Sequence, residues 1–169
     1  MMPQHNECKK LIERYPEILR LLNWEQTELD PTFLGFLKDY SGMDAYIPAD
    51  FQIVDLGCYQ AVQSVYFQNH PYVGVDLIPT EVRYQGPNIT HIRKNITEYI
   101  NTFKESELNH TFVFCCNVPD KKIRELVKMV FPYYKVTYPG CPTYMAIPKK
   151  RKLCQKIQSV KNLKSQSTF

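Results

Sequence analysis

The stretch from Phe51 to Leu77, FQIVDLGCYQAVQSVYFQNHPYVGVDL, constrains this chain more than any other. It predicts an apolar strand ending in Asp55, a turn at Gly57, a short helix, and a second apolar strand ending in Asp76. That is one βαβ unit. Acidic residues at the carboxyl ends of neighbouring parallel strands stand where open α/β sheets bind ligands.

The segments that follow extend the pattern. Apolar runs predict strands at 52–56, 72–77, 89–93 and 111–116, the last (TFVFCC) of the kind buried between helix layers. Helices are expected over 60–69, 97–103 and 120–131. The last of these turns Ile123, Leu126, Val127 and Val130 inward and has Asp120 near its start. Residues 134–138 and 144–147 predict two strands around the turn YPGCP, an antiparallel hairpin. Strands alternating with helices predict a three-layer α/β fold with a mainly parallel sheet. With 169 residues the chain has room for one domain with a real core.

The ends differ in character. Cys8, Leu11, Ile12, Tyr15, Ile18, Leu19 and Leu22 recur at helical spacing, interrupted by Pro16. Asp30 before Pro31 predicts a helix start. Phe33, Leu34 and Leu37 form that helix's apolar face, and Gly42 is its stop. We therefore expect a helical extension over 1–45, an α/β domain over 46–148 and a basic tail over 149–169. The formal charge is +4, but the tail carries seven basic residues and no acid. Without those seven of the 21, 14 basic residues face 17 acids. Attraction to nucleic acid or acidic lipid is thus expected in the tail, between Lys149 and Lys164, not on the body. Leu153, Ile157, Val160 and Leu163 share one face of a tail helix, which also suits plain docking on the domain.

Six cysteines form no C-x-x-C pair and the four histidines show no zinc spacing, so six free thiols in a reducing, cytoplasmic setting are expected, with no metal. Adjacent Cys115 and Cys116 should point to opposite faces of a strand. The N-x-T sequons at Asn88, Asn95 and Asn109 follow no signal-peptide pattern, and no apolar run is long enough to span a membrane.

VDLGCYQA at Val54–Ala61 resembles motif I of class I S-adenosylmethionine-dependent methyltransferases, commonly V-D-L-G-C-G-x-G. GVDL at Gly74–Leu77 is similar to their second motif. CNVPD at Cys116–Asp120 is similar to the N-P-P-Y or D-P-P-Y motif of amino-methylating members. The resemblance implies a Rossmann-like methyltransferase fold and S-adenosylmethionine as cofactor, with methyl transfer to an amino group of an unknown acceptor. It implies that Asp55, Gly57, Cys58, Tyr59, Asp76, Leu77 and Asn95 surround the cofactor. Asp76 would take the ribose hydroxyls, Asp55 would face the methionine part, and Asn95 would reach the adenine amino group. Asn117 and the following backbone carbonyl would accept hydrogen bonds from the target amine, positioned with Pro119.

Three positions depart from the motifs. Tyr59 and Ala61 replace glycines, so the Tyr59 ring is expected either to plug the methionine pocket or to cover it as a lid. Asp120 stands where a stacking aromatic is usual, leaving Tyr133, Tyr134 and Tyr138 as rings for that part. Simpler roles exist for the same residues: Asp55 and Asp76 as turn caps, Asn117 as a loop residue after a strand, Cys58 as a small buried side chain. The alternative to an enzyme is therefore a catalytically silent methyltransferase-like module that binds or scaffolds, with nucleic acid as one partner through the tail.

Overall fold

Alternation along the strands builds two cores, one on each face of a single sheet. In β1 (Gln52–Leu56), Ile53 faces one side with Asp55, while Val54 and Leu56 face the other. In β4 (Thr111–Cys116), Phe112, Phe114 and Cys116 join the first side, and Val113 and Cys115 the second. Cys115 and Cys116 do point to opposite faces, and all six residues of β4 are buried. A strand hidden on both faces must be apolar throughout, which is why TFVFCC lacks polar alternation.

The computed structural model describes residues 31–149. The expected helical pieces around Pro16, the Asp30 cap, the side chains of Phe33 and Leu34, and the basic tail lie outside the described residues.

The sheet has six strands in the order β3-β2-β1-β4-β5-β6. The others are β2 (Tyr72–Asp76), β3 (Ile89–Arg93), β5 (Tyr134–Thr137) and β6 (Tyr144–Ala146). β1 to β5 pair in parallel, with Ile53 opposite Tyr72 and Phe112, and Val113 opposite Tyr134. β6 returns antiparallel to β5, with Val136 opposite Tyr144, as the expected hairpin requires. The fold is α/β with a mostly parallel sheet.

The second face is covered by α2 (Ile96–Asn101) and α3 (Lys121–Val130), which set Ile100 and Val127 against Val54, Val75 and Val113. Asp120 caps α3 by accepting from the Lys122 N–H at 2.8 Å. The first face is covered by the segment after α1 (Pro31–Lys38), which places Tyr40, Met43 and Ile47 over Phe112 and Phe114. Lys135 and Thr137 of β5 hold that segment through Asp39: Lys135 Nζ donates to its carbonyl at 2.6 Å and Thr137 Oγ1 to its Oδ2 at 2.9 Å.

The structure corrects one element. Residues 60–69, expected as a helix, form only a 3₁₀ turn at Val62–Phe67. Tyr59 (φ +49) and Ala61 (φ +57) both lie in the left-handed region, so no regular α-helix can start there.

Candidate functional site

The strand order reverses direction between β1 and β4, so the carboxyl ends of these strands flank the sheet's switch point, where open α/β sheets place ligands. Two loops meet there, Gly57–Ala61 after β1 and Asn117–Asp120 after β4.

The first loop is fastened to β2. The Gly57 and Cys58 N–H groups donate to the Val75 carbonyl at 2.8 and 3.3 Å. Gly57 has φ +73, a conformation that favours glycine. A β-carbon on it would lie 3.0 Å from Val118 Cγ2 and 3.8 Å from Ile96 Cδ1. The space a side chain would need at this position is therefore held by Val118 and Ile96. Cys58 is fully buried, and burial raises its thiol pKa far above the usual range, so no thiolate forms there.

Asp76, at the end of β2, lies beside this loop. Its Oδ2 accepts the Tyr59 N–H at 2.8 Å, and its Oδ1 accepts the N–H groups of Leu77 at 2.7 Å and Ile78 at 3.2 Å. Three of about four carboxylate lone-pair positions are thereby filled by backbone. Two ribose hydroxyls would compete for the one that remains. Tyr59 itself is 60% exposed, so its ring is no buried plug. Leu77 is exposed beside it.

Asp55 lies inside the first core rather than at the rim. It has no exposed surface. Oδ1 accepts from Tyr40 Oη at 3.0 Å, and Oδ2 accepts from Gln63 Nε2 at 2.7 Å and from the Tyr72 hydroxyl. Burial pushes its carboxyl pKa up to about 6, against the opposing pull of the Tyr72, Gln63 and Tyr40 hydrogen bonds. Tyr40 and Tyr72, equally buried beside that carboxylate, have pKa values well above the ordinary phenol's. Gln63 Nε2 also donates to the Cys58 carbonyl at 3.0 Å, so the carboxylate props the Gly57–Ala61 loop from below.

The second loop turns at Asn117, whose φ of +62 is one that Asn tolerates better than most residues. The Asn117 side chain is exposed, as is Pro119, while Val118 is buried between them. Arg124, from the first turns of α3, reaches back under the loop. Its Nη1 donates to the carbonyls of both Val118 and Pro119 at 2.7 Å. One of the two lone pairs of the carbonyl that would receive an amine is thus taken. The same guanidinium stacks 4.7 Å above the Tyr138 ring. Asn95 stands apart from both loops' contacts, exposed, capping α2 through a 2.9 Å bond from the Thr97 N–H.

Arg83 was not foreseen from the sequence. It is fully buried and donates to four carbonyls, those of Gly74, Asp76, Ile78 and Ile92, at 2.8–3.3 Å. Its neighbours Gln85, Gly86 and Pro87 suggest a solvated turn, and nothing local signals a buried cation.

Asp55 and Asp76 are thus drawn together with Gly57, Cys58 and Tyr59 around one loop, with Val118 packed against it. Asn117 and Pro119 occupy the adjoining loop, and Asn95 and Leu77 remain on the surface. Val118 and Ile96 pack beside Gly57, and Asp76 accepts three backbone N–H groups. Among the described residues, no group of three His, Cys, Asp or Glu side chains could hold a metal ion, and no helix is long and apolar enough to cross a membrane. No protein-family model matches the chain, and no curated protein or solved structure matches it.

Proposed function

We propose that this chain is a methyltransferase-like α/β module that works by binding a partner rather than by transferring a methyl group. The supporting order β3-β2-β1-β4-β5, with an acid after β2 and a left-handed glycine after β1, is that of a doubly wound nucleotide-binding sheet. The observation that carries the reading is the position of Val118. Its side chain packs beside Gly57, 3.0 Å from where a β-carbon would lie, and its carbonyl already accepts from Arg124. One residue therefore crowds both the cofactor side and the acceptor side of the same crevice, which supports the reading.

Calorimetry with S-adenosylmethionine and S-adenosylhomocysteine tests this. We expect no heat and no thermal stabilisation at millimolar ligand, and a gain of weak binding in Val118→Gly. Micromolar binding that disappears in Asp76→Ala would overturn the proposal in favour of a working cofactor site. That second reading draws on the one lone-pair position left on Asp76, and the search would then turn to amino-group acceptors around Asn117 and Pro119.

A further inference from the structure

The two sides of the sheet end differently. Among the described residues, β3 and β6 are its outer strands. β3 ends in exposed Arg93 and is followed by exposed Lys94, charges that discourage a further strand from pairing there. β6 has no such guard. Residues 136–148 carry no charge, and Tyr144, Met145 and Ile147 are 43%, 45% and 41% exposed. An uncharged, exposed, apolar edge strand offers its outward backbone N–H and C=O groups to another strand.

This edge is complementary to itself. Pro142 and Pro148 stand at equal distances either side of Met145 and, lacking N–H groups, bound a pairing segment of residues 143–147. An antiparallel copy centred on Met145 sets Met145 against Met145, Tyr144 against Ala146 and Thr143 against Ile147. Each large ring then meets a small neighbour. The charges fit the same arrangement. Antiparallel pairing carries the two Lys149 residues to opposite ends of the joint, about 27 Å apart at about 3.4 Å per residue, whereas parallel pairing would set them side by side. On the α3 face, the Lys128 Nζ that lies 3.6 Å from the Tyr144 ring centroid has its charge met by Glu125 at 2.7 Å.

We propose that β6 is a self-association strand: two copies of this chain pair antiparallel through residues 143–147 about a twofold axis at Met145, continuing one six-stranded sheet into the next. The contact is isologous, so it closes at two copies and leaves no β6 edge open. A five-residue strand pair buries less than the roughly 1,000 Å² of a stable interface, so the dimer belongs to the weak, concentration-dependent class. The edge is remote in sequence from the crevice at Gly57, and the dimer stands or falls independently of the reading given for that crevice.

The test is sedimentation velocity of the full chain over a concentration series. The mass should rise from 19.9 kDa towards twice that value. Met145→Lys sets two cations opposite each other and should leave a monomer, with far-UV circular dichroism unchanged. Cross-linking fixes the register, in a background of Cys8→Ser, Cys141→Ser and Cys154→Ser. Met145→Cys should form a disulfide-linked dimer under mild oxidation, because residues directly opposite have Cα atoms about 4.5–5.5 Å apart, within disulfide reach. Thr143→Cys should not, because its two copies lie four positions apart, roughly 14 Å. Three results would each overturn the proposal: a monomer at every concentration up to about 1 mM, a dimer unchanged by Met145→Lys, or cross-linking at Thr143→Cys in preference to Met145→Cys. The first would mean that the edge does not pair between copies, the second that another surface associates, the third that the register is different. Calorimetry with S-adenosylmethionine reads the other proposal separately.

Discussion

Tyr40 donates its hydroxyl to Asp55 Oδ1 at 3.0 Å, tying the segment before β1 to the strand it covers. Asp55 is in a position that sequence alone connects with a ligand, yet its donors are all core side chains. The bond makes the first layer and the switch-point loop a single unit, because the same carboxylate holds Gln63, and Gln63 holds the Cys58 carbonyl. Tyr40→Phe leaves a buried carboxylate short of one donor. We expect a loss of about 1–3 kcal/mol, read from urea unfolding, with far-UV circular dichroism unchanged.

The same carboxylate sets a pH dependence. Unfolded, Asp55 titrates near the ordinary value of about 3.9, and folded near 6. Between these values the folded chain keeps a proton that the unfolded chain has released. Stability from this group is therefore complete below about pH 4 and is lost as pH rises through 6, by on the order of 3 kcal/mol. Urea unfolding at pH 4, 5, 6 and 7 should show that decline in the parent and a flatter profile in Asp55→Asn. An equal slope in both would assign the dependence to other groups.

Gly57→Ala should destabilise by about 1–3 kcal/mol, because the backbone there is left-handed and the new methyl meets Val118 at 3.0 Å. Val118→Ala should cost less in the Gly57→Ala background than in the parent. A double-mutant cycle with no coupling would mean that Val118 does not close over this turn.

Asn117 separates a backbone role from a chemical one. With φ +62, Asn117→Gly should be within a few tenths of a kcal/mol of neutral, and Asn117→Ala should cost about 1 kcal/mol. If both variants unfold like the parent, the left-handed turn contributes nothing measurable, and thermal melts would show it.

Arg83→Met removes one donor from each of four carbonyls, of which Asp76's keeps the Lys94 N–H, and we expect about 3 kcal/mol of destabilisation. Arg83→Lys keeps the charge but loses the planar fork, and should fall between Met and the parent in the same urea series.

Much of the architecture was legible because burial dictates periodicity. The strands at 52–56, 89–93 and 111–116 and the apolar stripe of α3 follow directly from which residues must leave water. The turn at Val62–Phe67 was not legible, because its geometry depends on left-handed Tyr59 and Ala61 and on buried Gln63 reaching Asp55, none of which a periodic pattern encodes. Arg83 and Arg124 escaped notice for a related reason. A lone arginine is usually solvated, and only the folded backbone shows carbonyls converging on it. In the site, the positions of Asp76 and Gly57 at and after strand ends were readable, but the packing of Val118 and Ile96 beside Gly57 is a property of the folded chain.

The crossover from β2 to β3 uses only the twelve residues 77–88, near the shortest span that can return a chain to a parallel neighbour, and it carries a three-residue 3₁₀ turn where an α-helix is customary. A helix would spread the work of anchoring that edge over many side chains, each dispensable. Here it falls on a few residues, chiefly buried Arg83 and Tyr84, whose N–H donates to the Gln60 carbonyl at 2.8 Å. The design is economical in length and intolerant of error: the exposed positions of the crossover are free to vary, while the codons for Arg83, Tyr84 and Gly86 are not.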